Sequence, residues 1–228
     1  MMRHGVDGPS VPALRQAGKP TGPFSSAPDS SAPPVPHGTQ QPYAERMEII
    51  ETSIPGLIVF QPTPHRDARG YFSRTLDVNI LADAGIDPAG FKQENQSRSY
   101  QGVVRGLHGR TNKGEAKLVR CAHGAVLDIA IDARPGSPTF GRMETFLLDD
   151  QVCRQVYIPR GFLHGYQALT SVTDFVYRID DFYGPDEDVT VNYLDPELAV
   201  PWPAPITVVS DRDKEGMSWA AFQETLGV

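Results

Sequence analysis

The chain has 228 residues, 28 of them acidic and 21 basic, for a formal net charge of −7. That acidic excess argues against sequence-independent nucleic-acid binding, which needs a basic face to displace counterions. The apolar fraction of 39% is low for a globular chain, and 21 Gly with 21 Pro supply part of the shortfall.

Residues 1–46 are rich in Pro, Gly and Ser and carry no periodic apolar pattern. Such a segment buries too little surface to offset the entropy of ordering, so a disordered extension is expected. No apolar run follows its basic residues, which points away from a secretory signal. No uncharged aliphatic run approaches the length that spans a bilayer. The two cysteines, Cys121 and Cys153, make no disulfide framework. They read as reduced thiols of a cytoplasmic protein.

From Met47 onward the chain reads as one domain, 47–228, with no internal repeat and no second linker. Short apolar and alternating segments dominate it. Segments 48–50 and 57–60 read as strands around Pro55-Gly56. Segment 78–84 reads as a short helix, with Asp77 as N-cap and Gly85 just past its end. Segments 117–121 and 125–131 read as a hairpin turning at His123-Gly124. Segments 144–148 and 154–158 flank the turn signal Asp149-Asp150. Segment 173–179 is a further strand, and 218–226 is a terminal helix closed by Gly227. Many short strands joined by Gly/Pro turns imply a sandwich, barrel or jelly roll. A doubly wound fold needs alternating long helices, which the pattern lacks.

Several residues stand out against that background. Arg105 and His108 share one Gly-flanked segment, 102–108. Lys117 opens a strand on which alternation puts Lys117, Val119 and Cys121 on one face. Pattern alone favours a lysine in solvent, since lysines are rarely buried unpaired. Tyr177 shares a face with Phe175 and Ile179, as a barrel-lining tyrosine would. The stretch from Ile158 through His164 to Tyr166 reads as a turn carrying a second histidine, His164, which reads equally as a core or supporting histidine or as a site residue. Asp211 and Asp213 sit before the terminal helix, where N-capping is the structural reading.

Taken in order, these segments resemble the dTDP-4-dehydrorhamnose 3,5-epimerase family of the cupin superfamily. The matching stretches run from Asp67-Ala68-Arg69-Gly70-Tyr71-Phe72 and Phe91-Lys92-Gln93-Glu94-Asn95-Gln96-Ser97 through 102–108 and 117–121. They continue with Ser137-Pro138-Thr139-Phe140-Gly141, 158–164, Tyr177, Tyr183-Gly184-Pro185 and Ser210-Asp211-Arg212-Asp213. The resemblance implies an all-β, double-stranded β-helix jelly roll with a few short helices. It implies epimerisation of a nucleotide-linked 4-keto-6-deoxy sugar through an enolate, with no cofactor and no metal.

In that reading His108 is the base and Asp213 its partner carboxylate. Lys117 lies near the C4 oxygen, and Tyr177 donates the proton from the opposite face. Arg69, Gln93, Asn95 and Arg105 hold the phosphates and the nucleotide base. Phe72 and Tyr183 line the nucleotide pocket, and His164 lies near the sugar. The segment bearing Arg69 and Phe72 is contributed in trans, so a homodimer is implied.

The chain departs from the family pattern at particular positions. After the R-G-L-H run the family reads an aromatic and then glutamine, where this chain has Gly109 and Arg110. Arg74 replaces a glutamate, and Glu115 stands where glutamine is common. Arg74, Arg110 and Glu115 read as one compensating polar network, or as marks of another nucleotide, of another sugar or of a single-carbon epimerase. A metal-dependent cupin is the more distant alternative, but His108-Gly109-Arg110 breaks the His-x-His pair that chemistry wants. A non-catalytic nucleotide-sugar-binding cupin is the other alternative.

Overall fold

A computed structural model describes residues 47–111 and 113–228. The expected disordered extension, 1–46, lies outside the described residues. The strands are β1 (Glu48–Glu51), β2 (Ile58–Gln61), β3 (His65–Asp67), β4 (Gly70–Phe72), β5 (Gln93–Tyr100), β6 (Val104–Arg110), β7 (Lys117–His123), β8 (Ala125–Asp132), β9 (Met143–Asp149), β10 (Gln155–Ile158), β11 (Phe162–Ala168), β12 (Val172–Ile179) and β13 (Asp188–Thr190). The α-helices are α1 (Val78–Asp83), α2 (Asp211–Lys214) and α3 (Trp219–Leu226). Two antiparallel sheets form, in the orders β1-β2-β10-β7-β12-β5 and β13-β6-β11-β8-β9. The hairpin β3-β4 belongs to neither. This is the jelly roll that the short-strand pattern anticipates.

The sheets face each other across one core. Val59, Val119, Val156 and Phe175 from the first meet Val126, Ala130, Phe146, Leu148 and Tyr166 from the second. The outer faces are covered separately. Leu107, Ile129, Ile131 and Leu163 pack against Trp219 and Phe222 of α3. Phe60 and Leu118 pack against Leu81 and Ile86 of the α1 region. Phe222 is fully buried there, and truncating a buried phenylalanine to alanine costs about 3–5 kcal/mol.

The helix signals act as expected. Asp77 accepts from the Asn79 N–H, and Ser218 caps α3 by accepting from Ala221 N–H. Gly227, at φ +73°, ends α3 in the left-handed region. Segments 48–50, 57–60, 117–121, 125–131, 144–148, 154–158 and 173–179 all lie within or overlap strands. Two readings are corrected. The 158–164 stretch turns only as far as Gly161 (φ +81°), and His164 lies inside β11, which is buried along its whole length. Ser210 is the N-cap of α2 and accepts from the Asp213 N–H, so neither Asp211 nor Asp213 caps a helix. Among the described residues no helix is long and apolar enough to cross a membrane. Cys121 and Cys153 are both unpaired with each other and buried.

Candidate active site

Strands β5, β7 and β12 of one sheet and β6 and β11 of the other enclose a cavity of about 340 Å³. On β5, alternation sends Gln93, Asn95 and Ser97 inward and leaves Glu94, Gln96 and Arg98 exposed. On β12 the inward face carries Phe175, Tyr177 and Ile179.

Strand β6 needs an irregularity to do the same. Arg105 and His108 are three residues apart, so strict alternation would send them to opposite faces. Their partners on β11, Tyr166 and His164, are only two apart, and the register shifts between them. The extra residue is a bulge that re-aims the chain and puts both side chains into the cavity. Gly106 makes the bulge feasible. Its φ is +138°, and a Cβ there would lie 2.6 Å from Gly165 Cα on the neighbouring strand.

His108 Nε2 lies 2.7 Å from Asp213 Oδ1. Asp213 Oδ2 accepts the Gly106 N–H at 3.2 Å. The Asp213 side chain is 4% exposed, whereas that of His108 is 35% exposed and opens to the cavity. Burial pushes the Asp213 carboxyl pKa up, but the His108 contact and the Gly106 and Ser210 hydrogen bonds outweigh it and hold the pKa below the ordinary value. The pair is therefore an imidazole braced by an ionised carboxylate.

Lys117 is 8% exposed and lines the cavity, so the solvent reading of this lysine is overturned. Its ammonium lies 3.3 Å from Glu115 Oε1. Tyr177 also lines the cavity, and its phenol pKa is raised, chiefly by burial and then by the nearby Glu115 charge. His164 sits directly opposite His108 on β11, with its Nε2 2.8 Å from Asp128 Oδ2. Two histidines, each with its own buried carboxylate, thus stand side by side.

Of the remaining expected residues, Gln93, Asn95, Arg105 and Tyr183 line the same cavity. Gln93 Oε1 accepts the Tyr183 N–H at 3.0 Å, which ties the 182–183 loop to the cavity mouth. Arg105 Nε donates to Ser99 Oγ at 3.1 Å. Arg69 and Phe72 are not brought to this cavity. They lie on the β3-β4 hairpin, where Arg69 pairs with Asp67 and Phe72 is 64% exposed.

The expected three-membered network is only partly formed. Arg110 NH2 lies 2.7 Å from Glu115 Oε2. Arg74 pairs with Asp77 at 2.9 Å at the start of α1 and does not line the cavity.

Asp128, Asp188 and Tyr166 were not singled out by sequence reasoning. Asp128 did carry a signal: a lone acid inside the apolar run of β8 needs a buried partner, and that partner is His164. Asp188 pairs with Arg110 Nε at 3.0 Å and had no such signal. Among the described residues no group of three His, Cys, Asp or Glu side chains is arranged to hold a metal.

Known proteins share this architecture and sequence. Residues 51–221 match the family model described as dTDP-4-dehydrorhamnose 3,5-epimerase. A dTDP-4-dehydrorhamnose 3,5-epimerase of Pseudomonas aeruginosa is 38% identical over 177 residues, covering 76% of this chain and 97% of that protein. The dTDP-6-deoxy-D-glucose-3,5-epimerase of Legionella pneumophila, solved with dTDP-4-keto-L-rhamnose, is 37% identical with a TM-score of 0.74, covering 79% of this chain and 97% of that one. ChmJ, a 3'-monoepimerase from Streptomyces bikiniensis solved with dTDP-quinovose, is 35% identical with a TM-score of 0.71, covering 77% and 89%. With the match running from β1 into α3 and taking in the whole cavity, the chain belongs to the dTDP-4-dehydrorhamnose 3,5-epimerase family.

Proposed function

We propose that the protein is a cofactor-independent epimerase of a dTDP-linked 4-keto-6-deoxyhexose, inverting carbons beside the C4 ketone. The observation that carries this reading is the His108–Asp213 contact at 2.7 Å in a cavity that also holds Lys117 and Tyr177. A proton next to a ketone leaves only if the electrons of the broken C–H bond reach the carbonyl oxygen. His108 takes that proton on the ring nitrogen that Asp213 does not hold, and the carboxylate stabilises the imidazolium. Lys117 faces the oxygen on which charge develops. Tyr177 then delivers a proton to the opposite face of the carbon as the C4 carbonyl re-forms. Its raised pKa keeps the phenol protonated for this step.

Gln93, Asn95, Arg105 and Tyr183 hold the nucleotide end, with Arg105 suited to phosphate oxygens by its fork of donors. His164 borders the sugar. Arg69 and Phe72 serve the cavity of a second copy, so the working unit is a homodimer. The two unbridged thiols agree with a cytoplasmic setting.

Proton NMR of the protein with dTDP-4-keto-6-deoxyglucose in D₂O tests the reading. Deuterium is expected at C3 and C5 of the sugar, and His108→Ala is expected to abolish the exchange while fold and assembly persist. Absence of exchange in the wild-type protein would overturn the reading. A second reading, inversion at one carbon only, is favoured by one observation: a charged Arg110–Glu115 pair sits in the cavity where the family pattern has glutamine at both positions. Deuterium at a single carbon would select it.

A further inference from the structure

Arg110 is the most buried cation of the cavity, with its side chain 3% exposed. Its guanidinium faces three partners, two through hydrogen bonds and the third, Glu115, as an ion pair in which Glu115 Oε2 makes no hydrogen bond. Nε meets Asp188 Oδ1 at 3.0 Å, NH1 donates to the Phe182 carbonyl at 3.0 Å, and NH2 meets Glu115 Oε2 at 2.7 Å. Glu115 lies two residues before Lys117, and its other oxygen, Oε1, lies 3.3 Å from the Lys117 ammonium. The carboxylate is therefore shared between two cations, and the shorter contact goes to Arg110.

That sharing matters for an amine that must meet developing charge. Only interactions that strengthen in the transition state accelerate a reaction. A lysine locked to its own carboxylate has its charge satisfied before the substrate arrives. A lysine whose carboxylate is occupied elsewhere keeps donors directed at the cavity. Resting on the epimerase reading above, we propose that Arg110 is a positioning residue: it engages Glu115 and so leaves Lys117 available to the oxyanion of the enolate. The two departures from the family pattern, Arg110 and Glu115, are then one coupled device. An acid beside the lysine is tolerated because an arginine holds it.

The test is a double-variant comparison of initial rates and deuterium exchange with dTDP-4-keto-6-deoxyglucose, with thermal melting recorded for each protein. Arg110→Gln is expected to lower kcat with little change in KM, because Glu115 then closes on Lys117. The loss is bounded by the roughly 10²–10³-fold cost of removing an oxyanion donor outright. Adding Glu115→Gln to that variant is expected to restore most of the lost kcat. A double variant as slow as Arg110→Gln overturns the proposal, since a merely structural arginine is not rescued by removing its partner's charge. Arg110→Lys keeps a cation for Glu115 and carries the test if Arg110→Gln does not fold. It is expected to retain kcat, and a loss of kcat at unchanged melting temperature overturns the proposal. Wild-type protein that shows no exchange at all would remove the epimerase reading itself, a failure separate from an active enzyme whose double variant is not rescued.

Discussion

His108 and Asp213 are 105 residues apart in the chain and 2.7 Å apart in the fold. One comes from the bulged strand β6 and the other from the four-residue helix α2, and the same carboxylate also holds the Gly106 N–H at the bulge. Asp213 therefore fixes both the imidazole and the backbone irregularity that aims it.

Asp213→Asn should lower the exchange rate by about 10²–10⁴-fold, the range of a general base's contribution. The asparagine can still hydrogen-bond, but it cannot stabilise the imidazolium. The pH dependence has a definite sign. The folded pKa of Asp213 is depressed, so its stabilising effect is complete above the unfolded value of about 3.9 and is lost as pH falls through the lower folded value. The melting-temperature gap between wild type and Asp213→Asn should be full at neutral pH and shrink below about pH 4. A gap that widens on acidification would contradict this account of Asp213.

On the proposed mechanism, Tyr177→Phe should separate proton removal from net inversion. Proton removal by His108 does not need the phenol, so deuterium exchange should persist while net inversion fails. Equal loss of both would assign Tyr177 to holding the sugar instead. The raised phenol pKa also predicts that inversion is not lost through Tyr177 ionisation until the pH exceeds the ordinary tyrosine value near 10.

Asp132 offers the contrast of a strong polar cluster outside the cavity. Its carboxylate, fully buried, takes Arg134 Nε at 2.8 Å, Ser137 Oγ at 2.6 Å and Thr139 Oγ1 at 2.6 Å. The segment 137–141, one of those carrying the family resemblance, thus anchors a turn. Burial raises the Asp132 pKa, yet these bonds outweigh it and bring the carboxyl to about 2. Asp132→Ala should cost about 3 kcal/mol, the low end for breaking a buried ion pair because Arg134 reaches solvent. The wild-type advantage should be complete above about pH 3.9 and vanish as pH falls through about 2. Denaturant melts at several pH values check both, and kcat of the folded variant should be unchanged.

What was legible in the sequence divides along physical lines. Strands with an apolar inner face, such as β7, β8 and β12, follow the alternation rule and read correctly. Strand β5 alternates just as regularly, but its inward positions Gln93, Asn95, Ser97 and Ser99 are polar, so it shows no apolar period to read. Strand β11 is buried on both sides, so its period vanishes, and β6 hides its register behind the bulge at Gly106. The order of the segments along the chain singled out residues of which His108, Lys117, Tyr177, Gln93, Asn95, Arg105, His164 and Tyr183 line one cavity. The pairing of His108 with Asp213 was legible through the resemblance, but the contacts of Arg110 with Asp188 and of His164 with Asp128 were not, because they join strands that only the folded sheet makes neighbours.

The hairpin β3-β4 raises the last prediction. Arg69 and Phe72 are exposed there, away from their own chain's cavity, and the hairpin is part of neither sheet. An exposed phenylalanine beside an exposed arginine suits insertion into a neighbouring copy, where Phe72 loses its contact with water and Arg69 meets phosphate. If each cavity of a homodimer is completed by the other copy, His108→Ala and Arg69→Ala impair the same cavity from different chains. Unfolding the two variants together and refolding them as a mixture then yields mixed dimers with one cavity free of both changes. Random pairing makes half the dimers mixed, so about a quarter of the wild-type sites should be regained. Size-exclusion chromatography checks that the dimer forms, and deuterium exchange reads the recovered activity. Recovery no greater than the average of the two separate variants would place Arg69 in service of its own chain, or outside the reaction altogether.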